Sequence, residues 1–125
     1  MTEHPCPVLA LTTEADQERA ETLAEALLER RLVACVSLQP MRSLYHWQGG
    51  LVRESEVQLL MKTSSSRLEA LKQAVMTLHS YDTPEWLSWS VDAAPAYGDW
   101  LMGELSSDAS LPAPGAGPGS VRPAG

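Results

Sequence analysis

Seven side chains able to give an electron pair to a metal ion are spread along the middle of this 125-residue sequence: Cys35, His46, Glu54, Glu56, His79, Asp82 and Glu85. Thiolate and imidazole suit copper and zinc, and carboxylates suit harder cations. No two of them stand at the Cys-x-x-Cys or His-Glu-x-x-His spacings of zinc ribbons and metalloproteases. Glu54 and Glu56 fall on one face of an extended strand, where they can share a cation or form a solvated charged edge. His79 precedes the acidic turn Tyr81-Asp82-Thr83-Pro84-Glu85. It can hold copper or zinc through a ring nitrogen, or it can cap the last carbonyls of a helix. Catalysis has weaker support. The chain has no Gly-x-Ser-x-Gly, P-loop or Gly-x-Gly-x-x-Gly motif. Cys35 as a nucleophile would need a base and a lowered pKa, and its apolar neighbours fit a structural strand. The chain therefore reads as non-enzymatic.

Charge narrows the partners. Sixteen acidic against nine basic residues give a net charge of −7, the wrong sign for displacing counterions from nucleic acid or docking on anionic lipid. No apolar stretch approaches the ~20 residues of a membrane span, and no basic-then-apolar leader opens the chain. Cys6 and Cys35 read as two free thiols of a reducing cytoplasm.

These donors need elements to position them. Val8 to Thr13 reads as a buried strand, and Thr13 with Asp16 suggests a capping box. Ala20, Leu23, Ala24, Leu27 and Leu28 make one helical stripe, closed by Arg30 and Arg31. Leu32 to Leu38 reads as a second strand ended by Pro40. Ser43–Trp47 and Leu51–Thr63 flank Gly49-Gly50 as an overlong hairpin. Its second arm alternates, with Val57, Leu59 and Met61 on one face and Glu54, Glu56, Gln58, Leu60 and Lys62 on the other. Ser66 and Glu69 suggest another capping box, opening a helix along Leu68, Leu71, Val75 and Leu78. Trp86 to Val91 alternates as a last strand, and Tyr97, Trp100, Leu101 and Leu105 line a short final helix.

The order strand, helix, strand, strand, helix, strand is the βαββαβ pattern of an α+β ferredoxin-like fold. It predicts an antiparallel sheet with both main helices on one face. Residues 1–105 form this domain. Residues 106–125, rich in proline, glycine and alanine, read as a flexible tail that can be deleted without loss of fold. The second sheet face is also apolar and calls for a covering partner, most economically further copies of the chain.

Five blocks occur in order: Leu32-Val33-Ala34-Cys35-Val36, Ser43-Leu44-Tyr45-His46-Trp47-Gln48-Gly49, Glu54-x-Glu56, Lys62-Thr63, and His79-Ser80-Tyr81-Asp82-Thr83-Pro84-Glu85. Together, from about Val8 to Leu105, they resemble the CutA family of divalent-cation tolerance proteins. The resemblance implies a homotrimer similar in plan to the PII signalling proteins, with hairpins reaching across neighbouring subunits and clefts between them. Carried over by position, it implies that Cys35, Tyr45, Trp47, Lys62, Tyr81, Thr83, Pro84 and Glu85 line or support such a cleft. It associates the chain with tolerance of copper and other divalent cations. The family's usual turn is His-Pro-Tyr-Glu-Thr-Pro-Glu, from which Ser80 and Asp82 depart. Members with a proposed copper site carry a thiol and a second histidine where this chain has Thr12 and Leu78. The expected metal site is therefore weak and centred on His79, with Asp82 and Glu85. The alternative is a PII-like sensor taking a small anion or metabolite, with charge from Lys62 and walls from Tyr45 and Trp47.

Overall fold

Alternation of side chains along two long strands organises the molecule. The computed structural model describes residues 5–106; Ser106, expected to begin the tail, is instead the last residue of the final helix, and residues 107–125 and His4 lie outside the described residues. The elements are β1 (Pro7–Glu14), α1 (Gln17–Glu29), β2 (Cys35–Trp47), β3 (Gly50–Ser64), α2 (Leu68–Leu78), β4 (Leu87–Ser90) and α3 (Pro95–Ser106). The strands form one sheet in the order β2-β3-β1-β4, each adjacent pair antiparallel. This is the expected ferredoxin-like α+β architecture.

One sheet face presents Ala10, Val57, Leu59 and Met61 to Ala20, Leu23 and Leu27 of α1 and to Leu71, Ala74 and Val75 of α2. Those residues are buried together, and their removal from water is the main stabilising term. Leu28 and Leu78, expected in the helical stripes, are instead partly exposed near the helix C-termini. The helix α3 is held by two arginines. Arg31 donates to the Glu104 carbonyl and pairs with its carboxylate at 3.1 Å, and Arg67 donates to the Leu105 carbonyl at 2.7 Å. Leu101 and Leu105 are buried under it.

Several local expectations are corrected. Pro40 does not end a strand: β2 runs through it, opposite Val57. β2 is at the sheet's edge, where a strand accommodates proline because one side of its ladder has no neighbour. The segment 32–34 precedes β2 rather than starting it. The hairpin loop is Gln48-Gly49, one residue earlier than expected. Both have positive φ (51° and 83°), as a two-residue loop of mirror-image type requires, and Gly50 pairs with Trp47. Neither capping box forms. Thr13 belongs to β1, and Asp16 alone caps α1 by accepting from the Arg19 N–H at 2.8 Å. At α2 the cap position is Arg67, whose side chain makes no capping hydrogen bond to the helix. Ser66 bonds Ser64, and Glu69 accepts from Gln73 instead.

The pairing of β1 with β3 stops at Glu14 opposite Val57. Beyond it, β3 residues 50–56 pair with β2 alone, an overhang of seven residues or about 24 Å. This ribbon and the 79–85 turn, which returns from α2 to the sheet, build the site.

Candidate functional site

On the sheet face away from the helices, the ribbon and the turn enclose a groove of about 780 Å³. Strand alternation places its floor. Ser43 opposite Glu54, Met41 opposite Glu56 and Tyr45 opposite Val52 share one face, continued by Thr13 and Leu11 of β1. The turn adds Tyr81, Asp82, Thr83 and Glu85, and Trp47 stands at the ribbon tip. Four carboxylates line the groove, from Glu54, Glu56, Asp82 and Glu85, and no lysine or arginine does.

Two tyrosines orient two of those carboxylates. Tyr45 donates its hydroxyl to Glu54 at 2.8 Å, and Tyr81 donates to Glu56 at 3.0 Å. Both phenols are pushed above their ordinary range. For Tyr81 the larger cause is burial, followed by the hydrogen bond to Glu56 and the charges of Glu56, Glu54 and Glu14. For Tyr45 the Glu54 hydrogen bond comes first. Both therefore remain hydrogen-bond donors at neutral pH. Glu56 is only 7% exposed, so the solvated-edge reading fails for it. Its place beside Tyr81, 25 residues away, has no signal in local sequence.

The turn is fastened by a residue the sequence analysis did not single out. Glu14 at the end of β1 is 2% exposed. Its carboxylate accepts from the Ser80 N–H at 3.1 Å, from the Ser80 hydroxyl and from the Ala15 N–H at 3.1 Å. A glutamate closing an apolar strand run is the one signal that could have drawn attention to it. His79 completes the fastening. Its side chain is buried, its Nε2 donates to the Thr13 carbonyl at 2.6 Å, and its Nδ1 accepts from the Tyr81 N–H at 3.0 Å. Both ring nitrogens are thereby engaged, and the Glu14 carboxylate lies 3.5 Å from Nδ1. Thr12 faces the helices, opposite Leu59, with a buried hydroxyl that has no hydrogen-bond partner among the described residues.

Of the residues expected around one cleft, Tyr45, Trp47, Tyr81, Thr83, Asp82 and Glu85 come together. Cys35 and Lys62 do not join them. They face each other across β2 and β3, with Lys62 Nζ 3.6 Å from Cys35 Sγ and 3.1 Å from Ser37 Oγ. Lys62 is ten residues along β3 from Val52, the partner of Tyr45, or about 34 Å away. Among the described residues, no three of His, Cys, Asp and Glu converge closely enough to hold a metal ion. No helix among them is long and apolar enough to cross a membrane.

The fold and groove define a ferredoxin-like protein with an extended two-stranded arm and an anionic cleft at its base. The chain belongs to the CutA family: the model of the CutA1 divalent ion tolerance protein matches residues 8–104. It is 45% identical over 100 residues to the divalent-cation tolerance protein CutA of Pectobacterium atrosepticum, covering 78% of this chain and 91% of that protein. The CutA structure from Synechococcus elongatus PCC7942 superposes with a TM-score of 0.78 at 42% identity, over 80% of this chain and 90% of that one. That from Archaeoglobus fulgidus, described as periplasmic, gives 0.78 at 28% identity, over 80% and 99% of the two chains.

Proposed function

We propose that this chain is a non-enzymatic, cytoplasmic homotrimer that contributes to divalent-cation tolerance, copper included, by weak cation binding in the groove. The observation that carries the reading is a groove lined by four carboxylates and no basic side chain. Asp82 and Glu85, on the exposed turn, are the proposed ligands, holding a largely hydrated ion. His79 acts behind them as a positioning residue, since a ring nitrogen could reach a metal only by giving up a buried hydrogen bond. Trimer formation is supported by what the open sheet face leaves in water. Leu87 and Trp89 are 54% and 44% exposed, and Trp47 is 54% exposed.

Light scattering at micromolar concentration is expected to give about three times 13.6 kDa; a monodisperse monomer would defeat the trimer. Calorimetry with copper is expected to give weak binding that falls at least tenfold in the double variant Asp82→Asn/Glu85→Gln. Binding of unchanged strength in that variant would put the ligands elsewhere. A second reading rests on Lys62, whose ammonium has Ser37 and Cys35 beside it and, among the described residues, no ion-pair partner. It makes that end of the hairpin a small-anion site, as in a PII-like sensor, reached by a neighbour's ribbon tip. An anion panel in the same calorimeter separates the two.

A further inference from the structure

The base of the hairpin holds a thiol and an amine in register. β2 begins at Cys35, which pairs directly with Lys62 of β3. Met61 is buried towards the helices, so alternation turns Lys62 and Cys35 to the opposite face, with Ser37 two residues on. There Lys62 Nζ donates to Cys35 Sγ at 3.6 Å and to Ser37 Oγ at 3.1 Å. Among the described residues Lys62 has no ion-pair partner, and neither Lys62 nor Cys35 lines the acidic groove. Cys35 is half-buried and Ser37 is exposed, so a small solute can reach the sulfur while the ladder holds its backbone.

The sheet decides what an oxidised Cys35 meets. A cysteine sulfenic acid condenses with a second thiol, or with a backbone nitrogen to a sulfenamide. A lysine amine is a stronger nucleophile than an amide nitrogen. The chain's other cysteine is Cys6, whose carbonyl accepts from the Ser65 N–H beside the pairing of Pro7 with Ser64. β1 and β2 flank β3 on opposite sides, which separates Cys6 from Cys35 by two strand spacings, about 10 Å. A disulfide needs its Cα atoms within roughly 7 Å. The Lys62 nitrogen is already in contact with the sulfur, and groups held in contact react without an encounter step.

We propose that Cys35 and Lys62 form a peroxide-sensitive modification site that closes into a sulfenamide, a covalent Sγ–Nζ bond across β2 and β3. Hydrogen peroxide is the oxidant. The thiolate sulfur attacks one peroxide oxygen, the O–O bond breaks and water leaves, giving the Cys35 sulfenic acid. Lys62, its proton lost to solvent, attacks that sulfur as the amine. The S–N bond forms, the S–O bond breaks, and the oxygen departs as a second water. Thiol, amine and one peroxide thus become sulfenamide and two waters, with sulfur oxidised and peroxide reduced. A thiol reductant reverses the bond as its own disulfide forms. The closed bond consumes the ammonium, and with it the charge on which anion binding at this end of the hairpin depends. The site itself needs neither the cation reading nor the trimer.

The test treats the full chain, reduced and freed of reductant, with a small excess of hydrogen peroxide at about pH 8.5, where an ordinary thiol is half ionised. Mass spectrometry is expected to show a species lighter than the parent by two hydrogens. Digestion should yield a peptide joining Cys35 to Lys62, and dithiothreitol should restore the parent mass. Lys62→Arg keeps the charge but replaces the amine by a guanidinium. It is expected to give no cross-link and to take up dimedone, a trap for sulfenic acids, at Cys35 roughly tenfold more than the parent. Cys6→Ser should cross-link like the parent. A parent that takes up dimedone at Cys35 as fully as Lys62→Arg, a disulfide between copies in place of the cross-link, or a Cys35 that peroxide leaves unchanged would each overturn the proposal. The peptide map of the parent decides without any variant having to fold.

Discussion

Trp47→Ala is expected to weaken assembly by roughly 2–4 kcal/mol per site while leaving the monomer folded. The indole is on the last residue of β2, on the same face as Tyr45, at the end of the overhang that β1 does not reach. No core lies beneath it. It pairs with Gly50, which offers no side chain, and it remains 54% exposed in the single chain. A large amphipathic ring left this open in one chain is the kind of group that dominates an interface once covered. Packing against its own hairpin predicts a different pattern. The substitution would then lower the melting temperature at every protein concentration and leave the oligomer unchanged. Sedimentation over a dilution series beside melting curves separates the two, and an intact trimer at the lowest measurable concentration would rule out the anchor.

Sequence legibility followed the range of the interactions involved. Val57, Leu59 and Met61 alternate with Gln58, Leu60 and Lys62, and the two faces of β3 follow directly from that period. The ribbon's overhang was legible too, because the hairpin arms outrun any strand that could flank them. Pro40 misled because its effect depends on whether the strand is at an edge, which is a property of the sheet and not of the neighbouring residues. The caps misled for a related reason. A Thr13 hydroxyl can cap only if the strand has already ended, and pairing with Gln58 keeps it in β1. The groove was half legible. The turn residues are contiguous and were found together, but Glu14 and Glu56 join them from β1 and β3 through contacts 66 and 25 residues apart. Lys62 and Tyr45 were expected in one cleft from family resemblance. A rigid antiparallel register keeps them at opposite ends of the hairpin, so only a second chain can bring such residues together.

Removing the Glu14 carboxylate is the substitution expected to do most damage inside one chain. In Glu14→Ala the Ser80 N–H, the Ser80 hydroxyl and the Ala15 N–H lose their acceptor at a site that is 2% exposed. Buried or half-buried donors left without partners cost about 1–3 kcal/mol each, partly recovered where water can enter. The Ser80 side of the site is open enough for some recovery, so a loss of about 3 kcal/mol is expected in urea denaturation. Glu14→Gln keeps one acceptor oxygen but turns an amide N–H₂ towards a donor, and is expected to lose roughly half as much. The damage should reach the groove as well. Ser80 sits between His79, tied to the Thr13 carbonyl, and Tyr81, tied to Glu56. Freeing it loosens the wall that carries Asp82 and Glu85 without touching either carboxylate. Hydrogen exchange at the Ser80 and Tyr81 amides should therefore accelerate in Glu14→Gln more than exchange in the β1–β3 ladder. Equal acceleration in both places would mean that Glu14 stabilises the fold as a whole and does not act as the fastening of the turn.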